Sequence, residues 1–281
     1  MESIKSFTDN NLSFYRTTHY FEQYGEFYTV DQFHEYCNWA KANNTKVYIL
    51  GNGSNTLFTR KRVKSLVLKN KLHKKITALP GNRLEVSSST LIIDVLKYCY
   101  ENSLESFYYL ASVPATIGGA LAMNAGRGRE HQLTIYDFVE TINFFDFESN
   151  CIKTFAREDI VKGYRETIFT GIQSRLILSA TFKFTNLTLK KNPIVERCKW
   201  SKTNQDYSAP NCGSVFKKAD FDILNKLKGF SFGGAAFSSK TGNWILNTSN
   251  SSIPIVILIH FVKILHFMKR EIAALEIITV D

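Results

Sequence analysis

Two stretches of small residues most constrain how this chain can fold. The first, Leu50-Gly-Asn-Gly-Ser-Asn55, directly follows a short apolar strand predicted at residues 47–50. The second lies in SVPATIGGALAMNAGRG, residues 112–128. Runs of glycine, serine and asparagine add little to a hydrophobic core, but they permit tight turns and close approach of a backbone to a ligand. Both stretches are therefore candidate binding loops.

The first loop has two interpretations. Its successive backbone N–H groups can form a concave nest for a phosphate oxygen, or it can be an ordinary β-turn without a ligand. It is a poor match to a Rossmann fingerprint, because residues 63–68 read as a further strand where that motif requires a helix. Together with the second loop, it could hold the two ends of an extended ligand such as a dinucleotide.

The composition is that of a globular protein with excess positive charge. The chain has 281 residues, of which 44% are hydrophobic and 21% charged, and its formal net charge is +10. That length suffices for one large domain or two of ordinary size. The positive charge favours an anionic ligand or partner, such as nucleic acid, a membrane surface or a phosphorylated small molecule. Scattered basic residues, however, more often form only a solvated surface.

The cysteines indicate neither disulfides nor metal binding. They are odd in number and widely spaced, without a CxxC pair, which argues against a disulfide framework and a zinc site. They are Cys37, Cys99, Cys151, Cys198 and Cys212. We therefore expect no metal in the protein.

One apolar run bears on membrane insertion. Residues 253–262 are apolar for ten positions before Lys263, well short of the ~20 residues needed to span a bilayer. The N-terminal residues lack the apolar segment of a signal peptide. We expect a cytoplasmic protein without membrane insertion.

Hydrophobic periodicity predicts a mixed chain of helices and strands. Helices are predicted at residues 31–42, 90–102 and 253–272, and strands at residues 47–50, 65–68, 139–147, 175–184 and 276–280. The polar segment 185–208 separates two lobes, and Lys190-Lys-Asn-Pro193 is its best linker candidate.

Several motifs, taken in order, resemble the UDP-N-acetylenolpyruvoylglucosamine reductase (MurB) family. Collinear matches are far more specific than any single motif. They are Leu50-Gly-Asn-Gly-Ser-Asn55, Pro114-Ala-Thr-Ile-Gly-Gly-Ala120, Met123-Asn-Ala-Gly126, Gly163-Tyr-Arg-Glu-Thr-Ile-Phe169, Pro210-Asn-Cys-Gly-Ser-Val-Phe-Lys217 and residues 233–247.

The resemblance implies an α+β fold with two domains. An FAD-binding domain of the vanillyl-alcohol oxidase/PCMH type would occupy residues 1–187, and a smaller substrate-binding domain residues 188–281. Arg165 and Ser214 are only 49 residues apart, which leaves little room for an insertion and points to the shorter, type II-like branch. We also expect a monomer.

The resemblance further implies an enzyme that reduces UDP-N-acetylglucosamine enolpyruvate to UDP-N-acetylmuramate in peptidoglycan precursor synthesis. Its cofactor would be non-covalent FAD, its reductant NADPH and its partner the UDP-sugar, with no nucleic acid. Tyr164 and Lys217 would contact the substrate. The cofactor residues implied are Leu50, Gly51, Asn52, Gly53, Ser54, Asn55, Pro114, Ala115, Thr116, Gly118, Gly119, Asn124, Ala125 and Gly126.

Three residues match the family's catalytic positions. Arg165 would stabilise negative charge on the enolpyruvyl carboxylate, a role suited to a permanently charged, forked guanidinium. Ser214 would donate the proton, and Glu276 would support the enol intermediate. The alternatives are an arginine in a surface ion pair, a turn serine and a glutamate at a strand edge.

The chain departs from the family pattern at several positions. Thr241 stands where the family has histidine, Asp206 follows Gln205 where proline is usual, and Arg127 replaces a small residue; Lys218 and Ala219 also differ. These departures bear on ligand contacts more than on the fold. Two alternatives to the reductase therefore stay open. One is a divergent flavoprotein that acts on another substrate, and the other is a non-catalytic protein that binds nucleotide or nucleic acid.

Overall fold

The computed structural model describes residues 4–188 and 190–281. The strands are β1 (Lys5–Asp9), β2 (His19–Phe27), β3 (Val47–Leu50), β4 (Thr56–Phe58), β5 (Arg62–Asn70), β6 (Ile76–Leu79), β7 (Arg83–Ser87), β8 (Gly126–Arg127), β9 (Leu133–Thr134), β10 (Val139–Asp146), β11 (Cys151–Ala156), β12 (Val161–Gly163), β13 (Glu166–Thr167), β14 (Arg175–Lys183), β15 (Phe216–Lys218), β16 (Ser231–Phe232), β17 (Ala235–Phe237), β18 (Ile245–Asn247), β19 (Ala274–Leu275) and β20 (Ile278–Val280).

The α-helices are α1 (Val30–Ala42), α2 (Ile92–Glu101), α3 (Ile117–Ala122), α4 (Gly128–His131), α5 (Arg157–Ile160), α6 (Pro193–Asn204), α7 (Phe221–Lys226) and α8 (Ile253–Met268). Short 3-10 helices occupy Tyr108–Leu110 and Ile135–Phe138. This mixture of helices with largely antiparallel strands confirms the predicted α+β class.

The chain divides into two compact units. The first contains Gly25–Asn52 and Leu66–Ser201, and the second contains Ile4–Tyr24, Gly53–Ser65 and Lys202–Asp281. The second unit thus includes two N-terminal segments that the predicted boundary at residue 187 leaves in the first domain. One reason is the parallel pairing of β20 with β4, which joins the C-terminal strand to residues 56–58.

The core of the first unit lies against a five-stranded antiparallel sheet with the order β11-β10-β14-β7-β6. Buried residues of α2 and α3, including Val95, Leu96 and Leu121, belong to the same hydrophobic cluster as Phe144 and Phe182 of the sheet. In the same unit, β3 pairs in parallel with the Leu66–Lys69 part of β5. The register of this pair places the end of β3 beside the end of β5.

The polar segment predicted as a linker contains a helix. Residues 190 and 191 form a bend, and α6 then begins at Pro193. Proline is favoured at the first helical position, where its missing N–H would have no helical partner. Ser201 of α6 is buried, and its hydroxyl donates a 2.8 Å hydrogen bond to Ser112 Oγ in the first unit. The first unit therefore extends through most of α6.

The second unit packs around α8. Leu258, Ile259 and Val262 of this helix share a buried cluster with Phe237 and Ile245 of the β16-β17-β18 sheet. The helix ends at Met268, before the predicted end at residue 272, because the chain turns at Arg270, whose φ is 59°. The backbone N–H of Glu271 then closes the turn on the carbonyl of His266.

The opposite face of α8 is apolar but exposed. Phe267 is 79% and Met268 is 74% accessible, and Phe261 stacks on exposed Phe230 with ring centroids 5.5 Å apart. Over residues 4–188 and 190–281, no helix is both long enough and apolar enough to cross a membrane.

The predicted final strand is interrupted. Two short strands, β19 and β20, flank a bend at Glu276 and Ile277. Glu276 therefore does not begin a strand, as the sequence suggested. The bend arises because the N–H groups of both residues donate to the single carbonyl of Val215, at 2.8 and 3.4 Å.

Candidate active site

In the first unit, the two small-residue loops meet. Gly51 follows β3, and a Cβ atom placed on it would lie 2.8 Å from Thr116 Oγ1. No larger residue fits there without displacing Thr116. The Asn52 side-chain amide donates a 2.7 Å hydrogen bond to the carbonyl of Pro114. The motifs predict no direct contact between these two loops, whereas in the structure they are joined by this hydrogen bond.

Thr116 and Gly118 shape the second loop. Thr116 caps α3, its hydroxyl accepting from the N–H of Gly119 at 3.2 Å. The N–H of Gly118 donates to the carbonyl of Ser88 at 2.8 Å, and a Cβ on Gly118 would lie 2.8 Å from that of Ser88. The glycine at this position is therefore required by close packing, and its N–H is already used within the protein.

Asn124 supplies an orphaned polar atom in the same unit. Its backbone is left-handed, with a φ of 45°, and its side chain is buried. The side-chain N–H₂ donates to the carbonyl of Gly163 at 2.9 Å, whereas Oδ1 has no hydrogen-bond partner. A buried acceptor without a donor costs free energy unless a ligand or water supplies one. Asn124 is thus suited to accept from a bound group.

Arg165 lies in the turn between β12 and β13 and reaches back to the Asn124 loop. Its Nη1 donates to the carbonyl of Asn124 at 2.7 Å, and its Nη2 to the carbonyl of Gly126 at 2.8 Å. The side chain is buried, and its Cζ lies 5.0 Å from the ring centroid of Tyr164. Its φ is 57°, a strained value that persists where surrounding contacts fix the residue. Arg165 is therefore no surface ion-pair residue.

The rest of the first loop belongs to the second unit, since the division falls between Asn52 and Gly53. Gly53 has a φ of 74°, and a Cβ on it would lie 2.1 Å from the carbonyl oxygen of Leu12. Its own carbonyl accepts from the N–H of Phe14 at 3.1 Å. Glycine is the only residue that fits this position.

The second unit brings Ser214 and Glu276 together. The N–H of Glu276 donates to the carbonyl of Val215, the residue after Ser214, at 2.8 Å. Ser214 forms an isolated β-bridge with Trp244, and Gly213 before it has a φ of 74°. Ser214 and Glu276 are both half-buried. Arg165 lies in the other unit.

Lys217 lies on β15, which pairs with β19. The side chain of Asn243 accepts from the N–H of Phe216 and donates to its carbonyl, both at 2.9 Å. Phe216 is buried and Lys217 is half-buried, as the alternation of a strand requires.

Two departures from the family pattern meet in the second unit. The Thr241 hydroxyl donates to Ser238 Oγ at 3.2 Å, and the Ser238 hydroxyl donates to Asp206 Oδ2 at 2.7 Å. Asp206 is 6% exposed. Burial raises the pKa of this carboxyl, but hydrogen bonds from Ser208 and Ser238 outweigh burial and hold the pKa below its usual value. Asp206 is therefore a buried carboxylate that organises the segment carrying Thr241.

The chain is similar to a family of FAD-binding proteins and to several reductases. Residues 26–154 match the family model described as an FAD binding domain. The UDP-N-acetylenolpyruvoylglucosamine reductase of Francisella tularensis is 31% identical, over 79% of this chain and 81% of that protein. The reductase of the same name from Clostridium perfringens (strain SM101) is 32% identical, over 74% of this chain and 69% of that protein.

The chain belongs to the UDP-N-acetylenolpyruvoylglucosamine reductase family. The resemblance drawn from the motifs is confirmed. The crystal structure of the Thermus caldophilus reductase (MurB) superposes with a TM-score of 0.76 at 19% identity, covering 99% of this chain and 100% of that one. At that identity the match supports the fold.

The first unit of this reductase-family chain fits FAD. The Gly51 position admits no side chain, and Asn124 Oδ1 is a buried acceptor that needs a donor, such as the N–H of a flavin ring. The predicted FAD-binding fold is confirmed by the family match over residues 26–154. The contacts of individual loop residues with FAD stay a prediction.

The motifs did not point to Lys69, a residue of β5 whose side chain contacts the first small-residue loop. Lys69 lies on β5 opposite Leu50, the last residue of β3, and its ammonium donates to the carbonyl of Gly51. A signal was present in the sequence, because residues 69–75, KNKLHKK, contain four lysines. Only the strand register shows that the first of these lysines reaches the loop.

Proposed function

We propose that this chain is an NADPH-dependent flavoenzyme that reduces UDP-N-acetylglucosamine enolpyruvate to UDP-N-acetylmuramate in peptidoglycan precursor synthesis. The observation that carries the proposal is the hydrogen bond between Glu276 and Val215. Val215 directly follows Ser214, so this bond supports a shared role for Ser214 and Glu276, which match the family's proton donor and glutamate. A module that only binds nucleotide has no use for this pair.

The Gly51 and Asn124 loops would hold FAD, which would supply the chemistry for hydride transfer between NADPH and the enolpyruvyl double bond. The two electrons of the hydride, together with one proton, saturate that carbon–carbon bond and leave NADP⁺. Ser214 would supply the proton to the carbon next to the carboxylate. A serine hydroxyl is a weak acid, so it needs a positioned and polarising site. We infer that Glu276 supports this site.

Arg165 would stabilise the negative charge that develops on the carboxylate side as the hydride adds. Two of its N–H groups already hold the Asn124 and Gly126 carbonyls, which fixes the position of the charge. Tyr164, stacked beside the guanidinium, and Lys217 would contact the anionic substrate. These roles are proposals carried by the family match.

The charge of the protein agrees with the proposed ligands. The basic net charge of +10 suits three anionic ligands, FAD, NADPH and a UDP-sugar. We propose a cytoplasmic monomer of the shorter branch that binds neither nucleic acid nor metal. Size-exclusion chromatography with light scattering would test the oligomeric state.

The decisive experiment is spectroscopic. The purified holoprotein is made anaerobic, NADPH is added, and the UDP-enolpyruvyl sugar follows. Bleaching of the yellow flavin by NADPH and recovery of the colour with the sugar would establish the reductase. A protein that binds no flavin on reconstitution would refute the proposal.

A second candidate is a flavoprotein of the same fold with another substrate. It is favoured by the Asp206–Ser238–Thr241 chain, because this chain of hydrogen bonds joins two positions where the family pattern is not kept. In the same experiment, bleaching by NADPH without recovery on addition of the sugar would support this candidate.

A further inference from the structure

Lys69 occupies a position from which it controls the strand-end loop of the first unit. In the parallel pair of β3 with β5, Lys69 lies opposite Leu50, the residue before Gly51. Its Nζ donates a 2.5 Å hydrogen bond to the Gly51 carbonyl. Leu50 is fully buried and Lys69 is half-buried, so the ammonium is held against the backbone and is not extended into solvent.

This bond completes a set of contacts that fix Gly51 and Asn52. Gly51 lies so close to Thr116 that it accepts no side chain, and the Asn52 amide is bound to the Pro114 carbonyl. Without Lys69, the Gly51 carbonyl would lose its charged donor. The ammonium satisfies that oxygen and adds a positive charge.

The charge of Lys69 is sensitive to its surroundings. Burial lowers the pKa of this lysine to about 8, with a further contribution from Lys71 and Lys74 and an opposing one from Glu26. All four groups belong to the first unit. An anionic ligand placed beside the ammonium favours its charged form, so ligand binding and proton binding reinforce one another.

We propose that Lys69 is a positioning residue for FAD, which fixes the Gly51 loop through its carbonyl and contributes a positive charge to binding of the anionic diphosphate. The inference rests on the proposed function, because it takes FAD to be the ligand of this loop. It assigns to the chain a lysine that neither small-residue motif contains.

The test is the affinity of the apoprotein for FAD, measured by flavin fluorescence titration between pH 7 and pH 9.5. In the wild type, affinity should fall above about pH 8 as Lys69 loses its proton, by about tenfold in total by pH 9.5. Lys69→Met should weaken binding on the order of tenfold at pH 7, the worth of one charge-assisted hydrogen bond, and remove this pH dependence. Lys97→Met, which removes an exposed charge from α2, is the matched control and should behave as the wild type.

Lys69→Arg keeps the charge at every pH in this range, so its affinity should not fall above pH 8, and it decides the question if Lys69→Met does not fold. A wild type that binds FAD, with Lys69→Met equally tight and equally pH-dependent, would overturn the inference alone. A Lys69→Arg protein that keeps the wild-type decline would do the same. A wild type that binds no FAD would overturn the inference and the proposed function together.

Discussion

The side-chain amide of Asn55 donates a hydrogen bond of 3.0 Å to the backbone carbonyl of Glu276. The carbonyl of Asn55 in turn accepts from the N–H of Ile278 at 2.9 Å, and the N–H of Glu276 reaches Val215. Within the second unit, the end of the first small-residue loop, the C-terminal segment and the Ser214 segment therefore form one hydrogen-bonded group. Asn55 therefore positions the backbone of Glu276 through this hydrogen bond.

Ser214→Ala should separate the two half-reactions. Reduction of the flavin by NADPH should proceed as in the wild type, because it needs no protein proton donor. Reoxidation by the enolpyruvyl sugar should slow by roughly 10²–10⁴-fold, the usual contribution of a positioned general acid. Stopped-flow absorbance of the flavin measures both steps. Ser239→Ala, at an exposed serine of the same unit, should leave both unchanged, and an unchanged reoxidation rate in Ser214→Ala would remove Ser214 from the mechanism.

Arg165→Ala should weaken flavin binding as well as turnover. It leaves the buried carbonyls of Asn124 and Gly126 without their charged donor, which costs about 1.5–3 kcal/mol for each such hydrogen bond. Denaturant unfolding measures the loss of stability, and fluorescence titration the loss of FAD affinity. Arg157→Ala, at an exposed arginine of the same unit, is the comparison. If only the second half-reaction slowed, with FAD affinity and stability intact, Arg165 would act on the substrate alone.

Asp206→Asn should lower the free energy of unfolding and make that free energy depend less on pH in the acid range. The pKa of Asp206 is lowered in the folded state. Its contribution is therefore full above the unfolded pKa of ordinary aspartate and is lost as the pH falls through the lower, folded pKa. We expect Asp206→Asn to lower the free energy of unfolding at neutral pH by roughly 1–3 kcal/mol and to flatten its decline at acid pH. Asp222→Asn, at an exposed carboxylate of α7, should change the profile little. Equal profiles for Asp206→Asn and the wild type would contradict this.

His19 should make the stability of the second unit depend on pH in a less acidic range than Asp206 does. Its Nδ1 donates to the carbonyl of Arg60 and its Nε2 accepts from the Thr17 hydroxyl, both at 2.7 Å, so the ring is held neutral. Burial lowers the pKa of His19, and the hydrogen bond to Arg60 opposes this only in part. Its contribution to stability is thus complete above about pH 6.5, the unfolded value, and falls as the pH drops through that value toward the folded pKa.

His19→Gln should remove this step in a plot of unfolding free energy against pH. His34→Gln, at a half-buried histidine of α1, is the control and should retain it. Persistence of the step in His19→Gln would assign it to another group.

Some elements could be read from local sequence. The apolar spacing of residues 31–42 and 90–102 predicts α1 and α2, which span Val30–Ala42 and Ile92–Glu101. Alternation likewise predicts β10 and β14 to within one residue. These predictions succeed because helix and strand periodicity is written in neighbouring residues. The ordered motifs identified the family for the same reason, since each is a short contiguous segment.

Tertiary contacts decided what these patterns do not contain. The helix α6 forms in a polar segment that composition marks as a linker, and its Ser201 is buried against Ser112. Two N–H groups converging on the Val215 carbonyl interrupt the last strand at Glu276.

The sequence by itself determined the fold class, the family and the positions of the loops, since these depend on residue types and short spacings. Only the tertiary structure decided that Lys69 holds Gly51, that Arg165 holds the Asn124 loop, and that Asp206 and Thr241 share Ser238. These are hydrogen bonds that depend on distance and direction between groups far apart in the chain. No local pattern encodes such a distance, because it is set by strand register and by the packing of whole elements.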